Sequence, residues 1–184
     1  MNKNMGLNRK TSIIVGVLIL VAYSMLAGEV ANTKWIVTLL DIISGLSVIG
    51  IATLMFPFFK VSNRRLSFGY LYLKIIGGLL TIAAGIFFLS HSLQEWRGWI
   101  YNYPQTYEFI ISGSLFYVLL FKTKLVPRFI SVWGLVACLT LLITNASKSL
   151  GAISPVLDAL MVPIFANEIF LAIWLIVKGF NSSK

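Results

Sequence analysis

The sequence predicts an all-α membrane protein, a bundle of six transmembrane helices with both termini in the cytoplasm. Three observations lead there. Of the 184 residues 58% are hydrophobic and 11% charged, where a soluble domain has about 45–50% and about 25%. The apolar residues fall in long blocks instead of alternating with polar ones, as helices that cross a bilayer require. The basic residues gather at the ends of those blocks, most of them on one side of the predicted membrane.

The blocks place spans at about 11–28, 35–59, 66–92, 104–122, 129–147 and 156–178. Before the first lies a basic segment with Lys3, Arg9 and Lys10. A charged start followed by an apolar core and Leu-Ala-Gly also fits a cleavable signal peptide. Thr11–Gly28 reaches about 27 Å at 1.5 Å per residue, which favours an uncleaved first helix.

The second block carries Asp41 on one face with Ser44, Gly45, Val48 and Ala52. Small residues at helical spacing allow a neighbouring helix to come close, and Asp41 points inward with them. Asp41 reads either as a coordinating or proton-carrying acid or, the plainer reading, as an interfacial acid within two turns of water. Pro57 lies near the far end of this block.

After a basic loop of Lys60, Arg64 and Arg65 comes the third block, where Lys74 shares a stripe with Gly77, Gly78, Thr81, Ala84 and Gly85. The stripe predicts that Lys74 faces protein. Snorkelling stays open, since Lys74 is about 12 Å from Leu66 along the helix.

The loop from His91 to Tyr107 is rich in aromatic residues, including Trp96, Trp99, Tyr101 and Tyr103. It reads as a short helix at the outer interface, where amphipathic rings settle. The alternative is a lid over an outward-facing cavity, with His91 at the rim. Pro104 is a suitable first residue for the fourth helix. The fifth block ends on Asn145 and Ser147. The sixth carries Glu168 near its middle, with Pro163 five residues earlier predicting a kink.

The six-span reading puts eleven Lys and Arg on the side of the termini and three (Lys34, Arg97 and Lys148) on the other. Under the positive-inside rule both termini are cytoplasmic and the chain is a multi-pass protein of the cell membrane. The scattered basic residues are topology signals, so nucleic acid is not an expected partner despite the net charge of +9. The lipid bilayer is the expected partner, with a homo-oligomer or a membrane partner protein as a further one.

One cysteine, Cys138, and one histidine exclude an intrachain disulfide and a multi-histidine metal site. No phosphate-binding loop, nucleophile elbow or dinucleotide fingerprint occurs, so no catalytic residue, metal or cofactor is assigned. The candidates for a buried polar site are Glu168, Lys74, Asp41, Asn145 and Asn167; those for the outer rim are His91, Trp96 and Trp99. An isolated charge at the bilayer centre costs about 2.5–3.5 kcal/mol on the lenient scale. Glu168 and Lys74 lie at matching depth, which predicts that they pair directly or through water, with Asn145 or Asn167 nearby.

The segments LVPRFISVWGLVACLTLL and FLAIWLIVKGF, with Glu168 between them, resemble the bacterial family known as domain of unknown function 4386. LSFGYLYLKIIGGLL is similar to that family's third helix, with Lys74 where the resemblance implies an arginine and Gly77 where it implies a glutamate. The resemblance spans roughly Ser67 to Phe180 and implies a small polytopic membrane protein without assigned activity. Three functions remain. The favoured one is a non-enzymatic binding, accessory or sensor-type module with a buried polar site. The alternative is a small-solute or ion transporter using Asp41, Lys74 and Glu168. A third is an intramembrane enzyme acting on lipid.

Overall fold

The computed structural model describes residues 3–27 and 33–181. Among the described residues the regular structure is all helical, with no strand. The helices are α1 (Lys3–Ala22), α2 (Ser24–Ala27), α3 (Lys34–Lys60), α4 (Arg64–Leu89), α5 (Glu95–Ile100), α6 (Thr106–Thr123), α7 (Arg128–Ser149), α8 (Pro155–Ala159) and α9 (Val162–Val177), with a π-helical turn at Tyr101–Gln105 between α5 and α6.

Five stretches are long and apolar enough to cross a membrane: Asn8–Leu26, Lys34–Lys60, Arg64–Leu89, Arg128–Ser149 and Pro155–Val177. The fourth predicted span forms as α6, a helix of 18 residues that is not among those five. Glu108 and Lys122 near its two ends lower its apolarity. The bundle carries its apolar side chains on both faces: Leu46, Leu79, Val136, Leu139 and Ile173 are more than half exposed on the outside.

The six long helices form a closed ring in the order α1, α3, α4, α6, α7, α9 and back to α1. Small residues set how close they come. A Cβ on Gly45 would lie 2.5 Å from the Gly78 carbonyl oxygen, so α3 and α4 cross with backbones almost touching. A Cβ on Gly16 would lie 2.7 Å from the Ala172 carbonyl oxygen at the crossing of α1 and α9. The stripe expected to receive another helix does so. Arg9 closes the ring from α1: its guanidinium donates to the carbonyls of Leu175 (3.3 Å), Ile176 (2.7 Å) and Val177 (3.0 Å). Those oxygens end α9 without helical partners, and a cation is favoured there.

Three element boundaries differ from expectation, and each difference bears on the site. The first span breaks at Tyr23. The Ala22 carbonyl accepts from the Ser44 hydroxyl on α3 (2.5 Å), and the predicted end at Gly28 lies outside the described residues. Pro104 does not open the fourth helix: α5, the π turn and α6 run on, with Pro104 inside the wider turn. The Thr106 hydroxyl donates there to the Tyr101 carbonyl (2.6 Å). The last span is interrupted at Leu160–Met161, and Pro163 sits in the first turn of α9, where its missing N–H leaves no bond unmade.

Candidate functional site

The ring encloses a cavity of about 200 Å³, walled by residues of α1, α3, α4, α6, α7 and α9 and reached by the π turn. Its wall is mostly aliphatic and aromatic, with Ile51, Tyr70, Phe109, Phe116, Phe165 and Leu171 among its members. Glu168 and Lys74 face it from α9 and α4. Both are partly exposed, and the surface they present belongs to the cavity.

Glu168 is oriented by the break at Tyr23. Leaving helical geometry there brings the Tyr23 hydroxyl onto Glu168 Oε2, to which it donates at 2.7 Å. The Tyr23 ring is held by Phe165, one turn before Glu168 (centroids 5.6 Å apart). The other carboxylate oxygen makes no hydrogen bond to a described residue. Lys74 lies with Nζ 4.8 Å from the centre of the Phe109 ring. The expected direct ion pair between Lys74 and Glu168 is not formed. The two side chains line the cavity without contact between them. The aromatic face gives the ammonium an attractive resting place, so the arrangement is an acid and a base lining one cavity from opposite helices without touching.

Three of the hydroxyls around them are spent internally. Ser44 donates to Ala22, Thr81 to the Gly77 carbonyl (3.0 Å) and Thr106 to Tyr101. The groups left to meet a guest include Lys74, one oxygen of Glu168, the Tyr70 hydroxyl and Gln105, whose Oε1 is buried without a hydrogen-bond partner.

Asp41 is elsewhere. It is fully buried, away from the cavity wall, and accepts from Arg97 Nε (2.8 Å), Arg97 Nη2 (3.2 Å) and the Tyr101 hydroxyl (2.8 Å). The plainer expectation, an acid near water, gives way to a buried ion pair. The close approach of Gly85, where a Cβ would lie 2.7 Å from Asp41 Cβ, shuts the site. Arg97 also lies over the Phe88 and Tyr101 rings (5.4 and 4.9 Å). The pair fastens α5 and the π turn across one end of the ring, and Tyr101 and Gln105 present the underside of that roof to the cavity.

The remaining candidates are structural or peripheral. Asn167 is fully buried and donates to the Ile130 carbonyl on α7 (3.0 Å), fastening α9 to α7. Asn145 donates to Leu141 one turn back in its own helix (2.8 Å). Neither lies beside Lys74 or Glu168 on the cavity wall. His91 is exposed in the turn after α4, and Trp96 and Trp99 point outward, edge to face at 5.3 Å. The roof's inner face belongs to Arg97, Tyr101 and Gln105, which the sequence reading left out of its site candidates. The spacing of Arg97 and Tyr101, one turn apart in an aromatic loop, is the signal that could have found them.

Glu108 was also missed. It lies near the start of the fourth predicted span and is buried, and neither carboxylate oxygen has a partner. Its carboxylate lies directly on Gly77, in the space a side chain there would fill. The position where the resemblance implies a glutamate is a glycine, and an acid from the neighbouring helix occupies the gap. Among the described residues no three His, Cys, Asp or Glu side chains come together as a metal site.

Residues 88–179, half of the chain, match the family described as domain of unknown function (DUF4386), and the chain belongs to it. The matched region includes α5 to α9 with Arg97, Glu108 and Glu168; Lys74 and the third-helix resemblance lie before it. No curated protein and no solved structure matches the chain.

Proposed function

We propose that this member of a family without assigned activity is a non-enzymatic module of the cell membrane that binds a small ligand in its central cavity, through Glu168 and Lys74. The observation that carries the reading is that acid and base line one cavity from opposite helices of the ring and do not touch. In a bundle built only for stability, opposite charges inside the ring would close into a pair, as Asp41 and Arg97 do, or be replaced by apolar residues. A mostly apolar cavity with a few convergent polar groups is the usual form of a small-molecule site. The fitting guest is small, with an apolar body, a donor for Glu168 and an anionic or acceptor group for Lys74.

The module crosses the bilayer six times with α6 as the fourth crossing, and both termini are cytoplasmic. The 11:3 distribution of basic residues supports this, and the ring, which surrounds α6 with longer apolar helices, supports it too. A reporter fused after Lys184 that is active only outside the cell would overturn the topology. The binding reading is tested by native mass spectrometry of the protein purified from membranes, compared with Glu168→Gln and Lys74→Met. A co-purifying small mass that both substitutions remove is expected. Unliganded wild-type protein whose melting no zwitterion, amine or carboxylate in a panel raises would refute it.

The transport reading draws support from the roof, a separately fastened segment over the cavity. It has lost one of its three charges, because Asp41 is bound to Arg97. Counterflow in liposomes distinguishes a transporter from a module that only binds. A homo-oligomer or a membrane partner protein is the expected recipient of the signal.

A further inference from the structure

Among the described residues three carboxylates and two bases lie inside the ring or under its roof: Asp41, Glu108, Glu168, Lys74 and Arg97. Asp41 and Arg97 neutralise each other at 2.8 Å. One ammonium, Lys74, then remains for two carboxylates, and it rests over Phe109 without an ion pair to either. With every group ionised, the interior is short of one positive charge.

The shortage is local to one turn of helix. Glu108 is 7% exposed with both oxygens buried and without partners, and Gln105, three residues earlier on the same face, is 9% exposed with its Oε1 in the same condition. Three acceptors in one turn meet no donor. Leaving buried acceptors unmet costs about 1–3 kcal/mol each, and more for a charged group. A water could donate to these oxygens but would leave the charge uncompensated. The Thr81 hydroxyl is committed to the Gly77 carbonyl, and the Gly77 surface under Glu108 offers no side chain.

We propose that Glu108 and Gln105 form a site for a single monovalent metal cation of the sodium class. Carboxylate, amide and water oxygens are the ligands that hard cations take. Glu108 supplies two oxygens and the charge, Gln105 supplies a neutral third, and the cavity that Gln105 lines supplies water and a way in. The site borrows Gln105 from the cavity wall but holds its ion through Glu108, which does not line the cavity, so it does not depend on what Glu168 and Lys74 bind. Bound sodium holds α6 against the Gly77 face of α4 and so stiffens the wall that carries Lys74.

The test is melting of the purified full chain, followed by tryptophan fluorescence, in sodium chloride against choline chloride at constant ionic strength and pH. The wild type should melt at higher temperature as sodium rises, saturating with a single-site curve. Glu108→Gln should lose the response, Gln105→Leu should move its midpoint at least tenfold higher, and Asp158→Asn, a surface acid, should keep it. Equilibrium binding of radioactive sodium to the wild type should reach one ion per chain, which decides the matter even if Glu108→Gln does not fold. Indifference to sodium with no ion bound would overturn the proposal and leave a proton as the compensating charge. Loss of the response in Asp158→Asn would also overturn it, as general screening.

Discussion

The two acids that the sequence places inside the bundle, Asp41 and Glu168, are held in opposite ways. Asp41 takes three hydrogen bonds from Arg97 and Tyr101 in a pocket sealed by Gly85. Glu168 takes one, from Tyr23, and turns its other oxygen to a cavity that Lys74 also lines. Taking an ion out of water costs several kcal/mol, and only close geometry and further hydrogen bonds compensate for it. Where that compensation is complete, at the roof, the residues serve the architecture. Where it is left incomplete, at the cavity, something else is needed to finish it. The depth of an acid in the bundle is therefore a poor guide to its role, and the number of donors around it is a better one.

The largest effect should come from breaking the satisfied pair. Arg97→Met leaves Asp41 buried and uncompensated and should cost about 3–5 kcal/mol in detergent melting, while Asp41→Asn combined with Arg97→Met should be milder than Arg97→Met alone. A single mutant that melts like the wild type would erase the contrast. Next is Tyr23→Phe, which removes the one donor to Glu168 and should cost about 1–3 kcal/mol, since the carboxylate can still turn to the cavity. A cycle of Lys74→Met and Glu168→Gln should give a coupling of about 1 kcal/mol, as for charges that interact through a wet gap instead of touching. A coupling as large as that of Asp41 and Arg97 would mean that the cavity pair closes like the roof pair. The smallest effect belongs to Lys148→Met. The Lys148–Asp158 pair is short, at 2.6 Å, but its side chains are 40% and 70% exposed, so about 0.2–1 kcal/mol is expected, diminishing with salt.

The helices were legible because a bilayer demands long apolar segments, and those segments stand out in this chain from Trp35 to Phe59 and from Phe129 to Ser147. The facing of α3 and α4 was legible too, because Gly45, Gly78 and Gly85 fall at helical spacing. What was not legible depends on contacts between distant residues. Arg97 is 56 positions from Asp41, and nothing in either neighbourhood names the other. Glu108 looked like a solvated acid near a helix start, because Pro104 reads as a first residue; in fact the helix begins earlier and passes through the proline in a π turn. The placement of Lys74 and Glu168 on a common cavity follows from depth, which the sequence provides. Their separation follows from Phe109 and Tyr23, which it does not reveal.

The clasp of Arg9 on the last carbonyls of α9 sets a schedule for making the protein. The two partners are 166 positions apart, so a ribosome must have delivered α9 before the ring can shut. Until then α1 has a guanidinium with no carbonyls to cap and a groove at Gly16 with no helix to fill it. A chain halted before α9 would be an open barrel one stave short of closure, with its interior reachable from the side. Such an unfinished seam is a feature that quality-control proteases and chaperones could recognise.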